Sequence, residues 1–146
     1  MKIPSVTFGE VEIDPNLTYT FSEGIPGLKG IDQWFIIDRP DLAPFKWLQS
    51  CQSPYLSLMM LDPVFVDPSY NLSLAREYAE ALGVVDMVED VKQLIVQALI
   101  VVPKDPKEMT ANLLAPLVFN PKTRKGMQVV VEGNRNLLRV KVIRDS

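Results

Sequence analysis

"VKQLIVQALIVVP", Val91 to Pro103, decides the fold class. Val91, Leu94, Ile95 and Ala98 recur at helical spacing, whereas Leu94, Val96, Ala98, Ile100 and Val102 fall on one face at period two. From Leu94 onward the stretch is dense in β-branched residues: Ile95, Val96, Ile100, Val101 and Val102. Such side chains are stiff at χ1 in a helix and pack well on a pleated surface. Pro103 then stops the run abruptly. The stretch is predicted to be a strand.

The rest of the chain agrees with a β reading. Twelve prolines divide it into short pieces, which favours many short strands over long helices. Val6 to Ile13 is predicted as two strands around a Gly9-Glu10 turn. Tyr19 to Phe21 and Trp34 to Asp38 follow as strands, separated by "FSEGIPGLKG", a loop whose glycines supply positive φ. In "PFKWLQS" Phe45 and Trp47 share one face, Lys46 and Leu48 the other. Tyr55 to Leu61 is a near-continuous apolar run, hence a central strand. A helix is predicted near Ser73 to Leu82, entered through Asp67-Pro68 and stopped by Gly83. Lys104 to Thr110 is a polar loop. Leu113 to Phe119 and Met127 to Glu132 form a hairpin around "NPKTRKG", with Gly126 easing the return. Gly133 to Asn136 is a turn, and Leu137 to Ile143 a last half-buried strand. These pieces make a mainly β chain: a small antiparallel β-barrel of about nine or ten short strands, with one or two short helices and a helix packed over one end. With 146 residues and no linker, residues 1–146 are expected to form a single domain.

Composition narrows the function. No apolar run is long enough to span a membrane and no secretory leader is visible, so a cytoplasmic protein is expected. Cys51 is the only cysteine and there is no histidine. That disfavours zinc sites, common triads and imidazole acid–base chemistry, leaving carboxylates or lysine for any catalysis. No cofactor is expected. The net charge of -3 is uneven. From Lys122 onward seven cations face two acids, a balance of +5, whereas residues 1–121 hold eight cations against sixteen acids, a balance of −8. An acidic body repels nucleic acid and attracts basic protein.

Individual motifs weigh less. The glycine loop lacks the strand-to-helix context of a dinucleotide fingerprint and the Gly-Lys-Ser/Thr of a phosphate loop. Asp62 and Asp67 read as turn or cap residues, and Glu10, Glu12 and Asp14 as a solvated strand face. Phe45 and Trp47 could stack bases, and Lys122, Arg124 and Lys125 could touch phosphates. That alternative is an RNA-binding barrel. Core packing and protein contact suit these residues better. The candidate partner contacts are Phe45, Trp47, Asn112, Asn120, Arg124 and Gln128, as aromatic, amide or cationic groups near strand edges.

Taken in order, "FSEGIPGLKG", "FKWLQS", "LDPVFVDPSY" and "VVPKDPKEMTANLLAPLVFNPKTRKGMQVV" resemble the flagellar assembly factor FliW family over nearly the whole chain. Trp47-Leu48-Gln49-Ser50, "TANLLAPLVFN" and Gly126-x-Gln128 carry most of the likeness. The resemblance implies a cytoplasmic, non-enzymatic β-barrel that binds flagellin. It also implies binding to the carbon storage regulator CsrA, an RNA-binding dimer that represses flagellin translation. CsrA would be antagonised away from its RNA site, with no direct contact to nucleic acid or membrane.

Overall fold

The computed structural model describes residues 1–133 and 135–143. Its strands are β1 (Lys2–Ser5), β2 (Gly9–Glu12), β3 (Tyr19–Thr20), β4 (Gln33–Ile37), β5 (Lys46–Ser50) and β6 (Ser57–Leu61). After the single α-helix of the described residues, α1 (Arg76–Ala81), come β7 (Ile95–Val101), β8 (Thr110–Ala111), β9 (Leu117–Asn120), β10 (Lys125–Gln128) and β11 (Val140–Lys141).

Seven strands close a barrel in the order β7-β6-β5-β4-β3-β10-β9, returning to β7. Ile95–Val101 of the deciding stretch is therefore a strand, and a central one, while Val91–Gln93 before it form a 3-10 turn. It pairs with β6 through Met60↔Leu99 and with β9 through Ile95↔Phe119. Period two sorts the side chains into inside and outside. Trp34, Leu48, Met60, Leu117 and Phe119 fill the interior with Tyr19, Phe21 and Ile25. The alternate residues point outward, and each outer patch has its own cover. The β1–β2 hairpin lies over Phe35, Ile37 and Trp47. β8, β11 and the turn at Pro63–Phe65 lie over Leu61, Ala98 and Ile100. Helix α1 lies over Val118 and Val96. The helix thus covers a wall rather than an end: Ala79 and Leu82 pack with Val118 and Val129.

The barrel departs from a purely antiparallel one at a single joint. β10 meets β3 in parallel, through Lys125↔Thr20 and the bond from Thr20 N–H to Arg124 O at 2.9 Å. Gly126 makes this joint possible. A Cβ there would lie 2.3 Å from Cε1 of Phe21, so the missing side chain is space for an interior ring. The residue that eases the hairpin's return is instead Arg124, at φ 59°, whose N–H donates to Asn120 O at 2.8 Å.

Several boundaries differ from the sequence reading. In the second hairpin β9 starts at Leu117 rather than Leu113, and β10 runs Lys125–Gln128 rather than Met127 to Glu132. The first hairpin turns at residues 6–8, not at Gly9-Glu10: Gly9, at φ 74°, opens β2 opposite Ser5. Asp67 does not cap the helix. Its carboxylate closes a local turn on Ser69 N and Oγ, so α1 begins only at Arg76. Its C-terminus is as expected, with Gly83 at φ 77° and Val84 N bonded to Ala79 O in a Schellman arrangement. Of the predicted final strand only Val140–Lys141 pairs, with β8; its first two residues end a 3-10 turn, Arg135–Leu138, where Leu137 O accepts from both Leu113 N and Leu114 N. Of the turn predicted over residues 133–136, Asn134 lies outside the described residues. Phe45 and Trp47 also part company. Phe45 precedes β5 and packs with Leu61 and Ala98, while Trp47 faces the β1–β2 hairpin.

The "WLQS" motif has a structural account. Gln49 is fully buried, and its Oε1 accepts from Ser5 Oγ at 2.7 Å and from Ser57 Oγ, tying the first hairpin to β5 and β6. Ser50 Oγ accepts from Gln52 N and Ser53 N and shapes the turn to β6. Replacing Gly126 by Ala is expected to cost about 2–4 kcal/mol through the clash with Phe21. Urea denaturation measures this, and paired Phe21→Leu should recover part of the loss.

Candidate interaction surface

The β9–β10 hairpin ends in a turn over residues 121–124, and this turn grips the end of α1. Asn120 Nδ2 and Thr123 Oγ1 both donate to Leu82 O, each at 2.8 Å. Asn120 Oδ1 also accepts from Lys122 N. A Cβ on Gly83 would meet Thr123 Cγ2 at 2.7 Å, so the chain leaves the helix pressed against the hairpin.

Beyond Gly83 the chain forms a small, rigid, exposed loop. Asp90 Oδ2 accepts from the backbone N–H of Val85 and of Asp86, both at 3.0 Å. Asp86 Oδ1 accepts from Val88 N and Glu89 N. These two carboxylates fix the backbone from Val85 to Asp90, and the fixed backbone holds Val85, Met87 and Val88 out in water, Val85 at 90% exposure. An apolar group held exposed forgoes burial. Rigid, exposed apolar side chains rimmed by charge are the chemistry of a protein contact. The Asp90 carboxyl is held below its ordinary range by the Asp86 and Val85 hydrogen bonds, with a further contribution from Lys122.

The six residues chosen from sequence do not converge on one site. Asn112 and Gln128 meet at Ala115: Asn112 Oδ1 accepts from Leu114 N and Ala115 N, and Gln128 Nε2 donates to Ala115 O. Together they shape the "NLLAP" approach to β9. Asn120 and Arg124 lie at the hairpin turn. The Arg124 guanidinium sits 4.8 Å over the Tyr19 ring, and its Nη1 donates to Leu17 O. Phe45 is half-buried, and Trp47 packs edge-on against Phe8 with ring centroids 5.4 Å apart. Sequence reasoning passed over Val85, Met87 and Val88. The signal for them was the alternation of acids and apolar residues in "VVDMVED", with Asp86 and Asp90 spaced to brace a turn.

Other polar groups have structural work. Asp62 caps the Pro63–Phe65 turn through Val64 N. Glu10 and Glu12 lie on the solvated face of β2. Burial pushes the Cys51 thiol up to about 11, so it is a poor nucleophile at neutral pH. Among the described residues no group of three acids or cysteines is arranged to hold a metal, and no helix is long and apolar enough to cross a membrane.

Fold and surface together define a small closed β-barrel whose exposed chemistry is that of a protein contact. A sequence model of the family described as FliW protein matches residues 2–142. The flagellar assembly factor FliW of Thermoanaerobacter pseudethanolicus is 32% identical over 146 residues, covering 99% of this chain and 95% of the relative. That of Alkaliphilus metalliredigens is 37% identical over 126 residues, covering 86% and 75%. A crystal structure of the flagellar assembly factor FliW superposes with a TM-score of 0.87 at 26% identity, covering 99% of both chains. The chain belongs to the FliW family of flagellar assembly factors.

The Asp90 linkage has a definite sign. A carboxyl lowered in the folded loop stabilises that loop above the ordinary carboxylate pKa, and the contribution disappears as pH falls through the lowered value. Amide exchange at Val85 and Asp86 should therefore stay slow through mildly acidic pH and speed up only in stronger acid. Asp90→Ala should speed exchange at both amides at neutral pH while leaving the melting temperature nearly unchanged.

Proposed function

We propose that this chain acts in the cytoplasm as a flagellar assembly factor that binds flagellin and antagonises the translational repressor CsrA, relieving repression of flagellin translation. It does so by protein contact, without a catalytic step. The rigid apolar loop over residues 84–90, braced by the β9–β10 hairpin, is the observation that carries this reading. The membership of the FliW family supports the flagellar setting, and the acidic body supports a basic partner.

The physics of antagonism follows from charge. A protein that holds RNA is basic where it does so. A body of −8 docked beside that surface disfavours phosphate approach without covering the site. Val85, Met87 and Val88 supply the apolar anchor, and Asp86 and Glu89 the acidic rim. Within the six sequence candidates, Asn120, Arg124 and Gln128 enter as the groups that hold or flank the hairpin. Phe45, Trp47 and Asn112 belong to separate faces, where a second partner would meet them.

A native pull-down with the tagged full chain is expected to recover flagellin and CsrA; recovery of neither overturns the proposal. Val85→Ser with Val88→Ser should weaken at least one partner by about tenfold or more with an unchanged melting curve. Antagonism of RNA binding should also fall as salt shortens the Debye length from ~30 Å at 0.01 M toward ~3 Å at 1 M. Antagonism that holds constant across salt, with the complex intact, removes the electrostatic part.

A further inference from the structure

The first hairpin has two unlike edges. Met1 N donates to Ile13 O at 3.0 Å and Ile13 N donates to Met1 O at 2.8 Å. This sets the alternation of the pair: Ile3↔Val11 and Ser5↔Gly9 are hydrogen-bonded, whereas Lys2↔Glu12 and Pro4↔Glu10 turn their backbone groups outward. On the β1 edge the outward pair includes Pro4, which has no N–H, so that edge is interrupted. On the β2 edge Glu10 and Glu12 each present an N–H and a C=O, and the two-stranded sheet ends there. The barrel itself is closed, so among the described residues this is its one appended two-stranded sheet with a complete outward ladder on one side.

Along the β2 edge runs a groove of about 310 Å3. Ile13, Leu17, Phe35 and Ile37 give it apolar lining, and Glu12 and Asp14 lie on it as acids; at its far end Asp38 is met by Lys46 at 3.7 Å and Arg39 by Asp41 at 2.7 Å, so the acidic side of the groove is the β2 side. Phe35 and Ile37 belong to the outer face of β4, so the groove has a rigid sheet as its floor.

We propose that the β2 edge is a docking site for an extended, basic peptide segment taken up by main-chain pairing. Backbone groups at Glu10 and Glu12 are two residues apart, a spacing of ~6.8 Å, which the alternate residues of another extended chain match. Alternate apolar side chains of the segment enter the groove, and its cations lie beside Glu10 and Glu12. On their β1 side those carboxylates are already met by Lys2 Nζ at 3.9 Å and the Met1 ammonium at 2.9 Å, and their other flank faces the open edge. A second copy of this chain is the wrong occupant. Antiparallel β2–β2 pairing would set Glu10 and Glu12 against Glu12 and Glu10, and like charges directly opposite destabilise a ladder. The site is separate from the loop over residues 84–90 and does not rest on the assignment of partners to it.

The probe is a capped peptide of alternating lysine and valine, titrated into the isotopically labelled full chain. The Glu10 and Glu12 amides should shift and become protected from exchange. Glu12→Pro, which removes one outward N–H from the β2 edge as Pro4 does from the β1 edge, should weaken the peptide about tenfold or more with no change in circular dichroism. A peptide of the same charge N-methylated at alternate residues should not bind. Glu10→Lys with Glu12→Lys leaves the backbone in place. It should reverse the preference toward an alternating glutamate and valine peptide, which keeps the test sound should the proline variant misfold. Equal binding of the N-methylated peptide, protection confined to other residues, or concentration-dependent dimerisation through β2 overturns the proposal.

Discussion

The fold depends on one close approach, the Phe21 ring lying against Gly126 where β3 meets β10. This is the joint that closes the barrel. It rests on a single parallel residue pair, Lys125↔Thr20, with Thr20 N–H bonded to Arg124 O beside it, so backbone pairing contributes less there than at the other joints. Packing supplies the rest. Phe21 and Tyr19 both meet the Phe119 ring edge-on, at 5.6 and 5.0 Å, and Phe119 pairs directly with Gly126 across the β9–β10 hairpin. Edge-to-face aromatic contacts add to burial. Three rings thus lock the barrel around a position where only hydrogen fits, and the hairpin that holds the end of α1 is anchored at the same place.

How much of this is legible in the sequence depends on where the deciding energy sits. Strand residues announce themselves when both faces are buried, as in Ile95–Val101, because β-branched density and a terminal proline act locally. Glycines in "FSEGIPGLKG" are equally local: Gly24, Gly27 and Gly30 all adopt positive φ. Tertiary contacts overrule local signals elsewhere. Asp67-Pro68 has the chemistry of a helix start, yet Tyr70 O–H reaches Leu113 O at 2.9 Å and holds the following chain against the body. The stretch from Leu137 to Ile143 alternates like a strand, yet the Leu137 carbonyl is claimed by Leu113 and Leu114. Gly126 sits beside a turn and reads as turn chemistry; its reason is a ring more than a hundred residues earlier in the chain.

The surface was less legible than the fold for a related reason. Amide side chains in a short, loop-rich barrel satisfy backbone groups that no strand reaches, as Asn112, Asn120 and Gln128 do, and tie elements together, as Gln49 does. Sequence alone cannot separate that duty from partner contact, because both need the same donors and acceptors. The loop over residues 84–90 is the converse. Its valines look like core residues until Asp86 and Asp90 are seen bonding to the backbone and pinning them outward.

The hairpin tip sits between the two exposed regions and touches both. Lys122 adds its charge to the neighbourhood of Asp90, which braces the loop after α1. Arg124, stacked on Tyr19, reaches the carbonyl of Leu17, and Leu17 lines the groove beside β2. Arg124 is thus not simply a solvated charge, nor is it presented for phosphate in the way an isolated "KTRK" suggests. A partner that pulls Arg124 off Tyr19 would also break its bond to Leu17 O. The turn is therefore a physical point of contact between surfaces drawn from distant parts of the sequence. Coupling between them follows if the turn has two arrangements of comparable energy, since a ligand shifts an equilibrium only by its differential affinity for the two states.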